Sequence, residues 1–311
     1  VTSANFAGLI VPQFLTELAA PFARAGRPFL DQARKHQLPD QGLVISISKV
    51  TTGSSTAVQT EGAAVSETNM DDTKLDVSVV TVAGQQNVSR QAIERGTGID
   101  TFVVADLIRS WHTTLDNHVL NGTGSNGQFK GIQNSGGNAV TFTATTPTVA
   151  LLYPKLADAI QKIQSNVFET PTHWIMHPRR LAFLLAAVDG SNRPLVVPTA
   201  GGPTNAVATG AGAAGYGNSG YSMMGLPIIA DANVVTNLGA ATNQDQIYCV
   251  AAPEMHLWEQ PGSPFALSFD ATGASSLTIK SVVYGFGAFS AERYPLAASI
   301  ISGTGLVAPT F

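Results

Sequence analysis

Between residues 99 and 119 apolar side chains return at every fourth position, as Ile99, Val103, Leu107, Trp111, Leu115 and Val119. Each step of four drifts about 40° around a helix of 3.6 residues per turn, so the series sweeps roughly 200°. Phe102 and Ile108 widen that face, and Asp106, Arg109, Thr113 and Asp116 form a narrow polar side. The pattern predicts a helix over about 99–120, roughly 33 Å long. With apolar partners on more than one side it would be a spine rather than a surface element. Gly122 and Gly124 end it. A second helix is predicted over 148–165, with Leu152, Leu156, Ile160 and Ile163 on one stripe and Pro154 in its first turns. A third starts at Pro178, carries Leu181, Leu184, Leu185 and Val188, and stops at Asp189-Gly190. A short one over Val88–Glu94 stops at Gly96 and Gly98.

Alternation marks the strands. Ile45 and Ile47 oppose Ser46 and Ser48, and Leu75-Asp-Val-Ser-Val79 alternates throughout, so both segments read as strands with one buried face. The stretch between them, 51–74, is rich in Thr, Ser, Gly and Ala and carries Glu61, Glu67, Asp71 and Asp72. It is too long for a hairpin turn inside a compact domain and too poor in large apolar residues to form a core. The readings are a disordered loop or a long two-stranded arm lying on a neighbour, which an isolated ribbon needs in order to be stable. Further strands are predicted at His173–Met176, Leu226–Ala230, Gln246–Ala251, Met255–Trp258, Leu277–Val283 and Gly287–Arg293. Residues 1–30 read as an extended arm with a short helix around Pro12–Ala20, and 200–220, with seven glycines, as a mobile loop. Helices cluster in the middle and strands in the flanks, which gives an α+β chain without internal repeats.

Composition adds a soft argument. Only 12% of the 311 residues are charged, well below the usual quarter, which suits a surface largely covered by neighbours. The net charge of −4 gives no reason to expect a nucleic-acid-binding groove. No apolar run reaches the ~20 residues a membrane helix needs. Cys249 is the only cysteine, so no intrachain disulfide forms, and its apolar neighbours place it in a buried strand.

The candidate chemistry is thin. Gly-x-Gly-x-x-Gly occurs at Gly122–Gly127, Gly210–Gly215 and Gly215–Gly220. The first follows a helix and the others lie in the glycine-rich loop, whereas a dinucleotide site needs the turn between a strand and a helix N-terminus. His173 and His177 have zinc-like spacing but sit in a strand-like run without a third ligand. Ser46 and Lys49 match Ser-x-x-Lys, yet on a strand they point to opposite faces. The six histidines, at 36, 112, 118, 173, 177 and 256, form no evident catalytic set. No catalytic, cofactor or metal site is expected.

Several segments together resemble one family, the major capsid proteins of tailed bacteriophages with the Hong Kong 97-type fold. The resemblance runs from about residue 40 to the end. Thr60-Glu61-Gly62 with Glu67 and Lys74-Leu75 looks like the family's E-loop. Ser89-Arg90-Gln91 looks like the join into the spine helix, and Leu120-Asn-Gly-Thr-Gly124 with Lys130-Gly-Ile132 like its ending. Trp174-Ile-Met, Leu181, Leu184 and Asp189-Gly190 resemble the A-domain strand and helix, followed by Gly225-Leu-Pro-Ile228 and Glu292-Arg293.

The resemblance implies an N-terminal arm (1–42), an E-loop with flanking strands (43–82), a P-domain with the spine helix (83–145), an A-domain (146–255) and P-domain C-terminal strands (256–311). It implies an icosahedral or related closed shell, built in the host cytoplasm as pentamers and hexamers. Double-stranded DNA would lie inside without sequence-specific binding; portal and decoration proteins are candidate partners, and no membrane is involved. Glu61, Glu67, Asp71, Asp72 and Lys74 become candidate intersubunit residues of the E-loop. Some members join an E-loop Lys to a P-domain Asn. Lys74 sits where that Lys would fall, but no Asn follows Asn243, so no such crosslink is expected; a bond at Asp270 has no support. A first residue other than Met is consistent with maturation cleavage. The alternatives are an encapsulin-type compartment of the same fold and, with less behind it, a hydrolase.

Overall fold

The computed structural model of the chain describes residues 21–95, 99–187, 197–198, 218–273 and 277–309. The expected helix at Pro12–Ala20, the stop at Asp189-Gly190, the match at Gly210–Gly215 and nearly all of the glycine-rich stretch lie outside these residues. In chain order the elements are β1 (Arg34–Gln37), β2 (Val44–Thr52), β3 (Asp71–Ser78), β4 (Val80–Ser89), α1 (Arg90–Arg95), α2 (Ile99–Asn121), β5 (Asn138–Thr141) and α3 (Val149–Val167). There follow β6 (His173–Met176), α4 (Pro178–Leu185), β7 (Val197–Pro198), β8 (Asn218–Met223), β9 (Leu226–Ala230), β10 (Ile247–Val250), β11 (His256–Glu259), β12 (Phe265–Gly273), β13 (Thr278–Ser290) and β14 (Ala298–Ser302).

A five-stranded sheet is built on β13. Antiparallel β4 pairs along one edge of it, from Thr278↔Ser89 to Gly287↔Val80. The other edge is shared by β12 and, further along, β11, which in turn carries β1 in parallel. Two expectations change here. The strands at Leu277–Val283 and Gly287–Arg293 are one strand of 13 residues, with the glycines between them inside it. The helix expected from Val88 begins at Arg90 instead, because Val88 and Ser89 still pair with β13. Ser89 Oγ accepts from the Ala92 amide at 3.2 Å, the capping geometry that starts α1.

The second sheet has seven strands in the order β5-β14-β10-β6-β9-β8-β7. Both faces of its centre are apolar, and period-two alternation divides the side chains between them. Trp174, Met176, Ile247, Cys249 and Ile301 pack with Leu152, Leu156 and Ile163 of α3 and Leu181 and Leu184 of α4. Ile175, Tyr248, Val250 and Ile300 face the other way, into the core shared with Trp111, Leu115 and Val119 of α2. The two sheets thus meet through one core. β5 and β14 lie in this second sheet, at residues 138–141 and 298–302. β14 pairs with β10 and β5 with β14, over sequence distances no local pattern reports.

On α2, Val103, Trp111, Leu115 and Val119 are buried and Ile99 and Leu107 half-buried. Phe102, expected to widen the apolar face, is exposed. Asp116, expected on the polar side, is buried. The polar side is covered by the N-terminal segment: Arg24 pairs with Asp106 at 2.8 Å, and the amides of Gly26 and Leu30 donate to Thr113 Oγ1 at 3.2 Å and Asp116 Oδ1 at 2.9 Å. Pro154 is the sixth residue of α3, past the first turn, so α3 forgoes one backbone bond there. Among the described residues no helix is long and apolar enough to cross a membrane.

Candidate functional site: an exposed arm and its anchorage

The arm is a two-stranded ribbon. β2 and β3 pair antiparallel, with Ile45↔Val77 and Ile47↔Leu75 on one face and Ser46↔Asp76 and Ser48↔Lys74 on the other. The apolar face settles at its base on Leu38, Trp258, Phe286 and Ala288. The other face is polar and exposed: Ser46 and Ser48 donate to Asp76 and Asp72 at 2.7 Å, and Lys74 pairs with Asp76 at 3.1 Å. These donors, Ser46 first and then Lys74, hold the Asp76 carboxyl below its usual range. Lys49 ties the ribbon to the body by donating to the Glu292 carbonyl at 3.2 Å, and the Glu292 side chain pairs with Lys130. β3 runs almost directly into β4, so the ribbon leaves the five-stranded sheet as its extension.

Beyond Thr52 and Asp71 the pairing ends. Residues 53–70 carry one tight turn, in which the Ala63 amide donates to the Thr60 carbonyl at 3.1 Å and Gly62 takes φ +78°. A bond between the Ser55 and Thr68 hydroxyls spans the tip. Val58, Val65 (81% exposed) and Met70 (64% exposed) face solvent. Glu61, Glu67, Asp71 and Asp72 are exposed, and none of them is ion-paired among the described residues. The structure therefore brings the five candidate arm residues onto one projecting element. Only Asp71, Asp72 and Lys74 lie on its paired part.

The anchorage is the spine. Trp111 Nε1 donates to the Val82 carbonyl of β4 at 2.9 Å. A Cβ on Gly285 would come within 2.7 Å of Trp111 Cζ2, so glycine at that point of β13 is what admits the indole. A Cβ on Gly287 would come within 3.3 Å of the Trp258 carbonyl, a tight but milder approach. The sequence reading placed Gly287 at the start of a separate strand and assigned no role to Gly285; the Gly-x-Gly spacing, two residues apart on one strand face, was the signal.

The remaining candidates do not converge. His173 is bonded to Thr172 Oγ1 at 2.8 Å, and His177 caps α4 by accepting from the Arg179 amide at 3.1 Å. Burial lowers both imidazoles. Among the described residues no group of His, Cys, Asp and Glu could hold a metal. Ser46 and Lys49 serve the separate partners named above. Gly122 ends α2 in a turn where its Cβ would strike the carbonyls of His118 and Phe129, a packing role rather than a phosphate cradle. Cys249 is buried in β10, and burial pushes its thiol up, out of the reactive range. An open cleft of about 400 Å³ is lined by Gln32, Arg34, Thr172, His173, Ala252 and Pro253; the Thr172 hydroxyl beside His173 is held in the backbone, donating to the Val250 carbonyl at 3.2 Å and accepting from the Ala252 amide at 3.0 Å.

Comparison with known proteins bears on this arrangement. The model of the phage capsid family matches residues 7–259. The fold is similar to the capsid of a native GTA particle, with a TM-score of 0.70 at 13% identity over 96% of this chain and 97% of that one. It is similar to a chain of Mycobacterium phage Bobi, with a TM-score of 0.69 at 12% identity over 97% and 98%. It is also similar to the capsid of Myoviridae phage XM1, with a TM-score of 0.66 at 12% identity over 97% and 98%. At such identities the structural likeness is one of fold. No curated protein matches the chain.

Proposed function

The chain belongs to the phage capsid family, and from that membership as a structural, shell-forming major capsid protein we propose how it builds its shell. The ribbon 44–78 is the E-loop, lying over a neighbouring subunit. The five-stranded sheet with α2 is the P-domain, and the seven-stranded sheet with α3 and α4 is the A-domain. Pentamers and hexamers of the chain close around double-stranded DNA without reading its sequence, as the near-neutral charge balance suits. Portal and decoration proteins complete the particle, and assembly takes place in the host cytoplasm.

One observation carries the arm assignment: the ribbon leaves the body with exposed apolar side chains and unpaired carboxylates at its tip. A lone ribbon is marginal in water. A second copy is the cover that a closed, repeating assembly supplies through heterologous contacts. Held this way, the shell needs no covalent bond, and the absence of Asn after Asn243 leaves Lys74 without its family partner. Electron microscopy of the purified full chain tests the reading, with uniform closed particles expected and dispersed monomers contradicting it. The same particles, boiled in detergent, should run as a single monomer band; a ladder of covalent oligomers would contradict the non-covalent arm.

A further inference from the structure

Three segments remote in sequence meet at one buried point. Asp116 on α2 and Asp231, just after β9, are fully buried, and Asn233 nearly so. Asp116 accepts from the Leu30 amide and from Asn233 Nδ2, each at 2.9 Å. Asn233 Nδ2 also donates to the Gly26 carbonyl at 3.1 Å, and Asn121 Nδ2 donates to the Asn233 carbonyl at 2.8 Å. Asp231 Oδ1 accepts from the Asn233 amide at 2.8 Å, while its Oδ2 is buried without a protein donor. One residue thus holds both carboxyls side by side, Asn233 bonding Asp116 through its side chain and Asp231 through its backbone amide.

We propose that Asp116 and Asp231 form a shared-proton latch that clamps residues 26–30 onto the junction of α2 and the seven-stranded sheet and loosens as pH rises. Two carboxylates in contact and out of water cannot both stay charged. One proton between them supplies the donor that the buried oxygen lacks and leaves the pair at −1. Burial first, and Asp231 second, accordingly hold the Asp116 carboxyl well above its ordinary range.

The surrounding groups do not relieve the pair. Tyr248 reaches in from β10 with its hydroxyl donating to Gln246 Oε1 at 2.7 Å. His177, at the start of α4, feels Asp231 and Asp245, and Asp245 is itself held by Arg179 and Arg180. On the N-terminal segment Arg24 is paired with Asp106, and Arg27 with Asp31 and Glu259. His112, one turn earlier on α2, answers to burial, Arg27, Glu259 and Asp31. None of these cations is among the groups that set the Asp116 carboxyl.

The sign follows from linkage. A carboxyl raised in the docked state and ordinary in the open one favours docking fully at pH below the ordinary Asp range. That preference is lost as pH climbs toward the raised value, with the open population growing up to about tenfold per pH unit in between. The latch stands independently of the arm assignment. Asp231→Asn sets the charge at −1 permanently: its amide can donate to Asp116 while its oxygen still accepts from the Asn233 amide.

The test is hydrogen exchange on a peptide spanning 26–33 of the full chain, read at each pH as the ratio of wild type to D231N, which cancels the intrinsic pH dependence of exchange. The ratio should climb with pH, by up to about tenfold per unit. A flat ratio would overturn the latch. If D231N does not fold, the infrared spectrum of the wild type, recorded at pH values just above the ordinary Asp range, decides. A protonated carboxylic-acid band that Asp116→Asn removes is expected, and a spectrum without that band overturns the proposal.

Discussion

The arm and the seven-stranded sheet are stabilised by opposite means. In the sheet, Trp174, Ile175, Met176, Ile247, Cys249 and Val250 are wholly buried, and β6, β9, β10 and β14 give side chains to both faces. Such burial is worth about 1.5–3 kcal/mol for each large apolar side chain. In the ribbon only the base is packed, and the tip exposes Val58, Val65 and Met70. Fixing backbone costs about 1–2 kcal/mol per residue, and the tip has no core of its own to offset it. The sheet is thus packed within one chain, and the tip of the arm is not. A subunit divided in this way can fold first and assemble afterwards.

That contrast can be broken from either side. The largest effect is expected on assembly. Replacing residues 53–70 with an Asn-Gly turn keeps the pairing of β2 with β3 and should leave a folded, soluble subunit with an unchanged melting temperature and no closed particles under the electron microscope. Normal shells from this variant would remove the arm from the account. Next comes the sheet. Asp245, fully buried, holds Arg179 at 2.7 Å and the buried Arg180 at 3.0 Å. Asp245→Ala leaves Arg180 charged and unpaired, so denaturant unfolding should show a loss of about 3–5 kcal/mol.

A smaller loss is expected on the spine. Gly285→Ala pushes a methyl into Trp111 and should cost about 1–3 kcal/mol, with a shifted tryptophan emission. The smallest effect on folding is expected at the tip. Neutralising Glu61 and Glu67 together should change stability by less than about 0.5 kcal/mol per site, because neither is ion-paired among the described residues. It should nonetheless flatten the dependence of assembly on salt, measured by light scattering across ionic strengths.

How much of this was legible in the sequence follows from the range of the interactions. The four-residue spacing from Ile99 to Val119 gave the spine, and the alternation at Ile45–Ile47 and Leu75–Val79 gave the ribbon, because both are local periodicities that one core face imposes. β1, with the sequence Arg-Lys-His-Gln, is too polar to show a strand pattern; it exists because β11 offers an edge. β14, though apolar, went unseen as a separate strand because its partners lie about 50 and 160 residues away. Asp116 read as a solvent-facing residue for the same reason. Its partners, Leu30 and Asn233, are separated from it by 86 and 117 residues. The arm was visible as composition, a long polar stretch between two strands. On the proposed reading its cover lies on another molecule, which neither the sequence nor one folded chain contains.

The account turns on that cover, and hydrogen exchange reads it most directly. Peptides from 53–70 should exchange fast in the dissociated subunit and become protected in assembled particles, while peptides around 247–250 should be protected in both. An arm equally protected before and after assembly, or one that still exchanges fast within closed particles, would contradict the claim that a neighbouring subunit completes it.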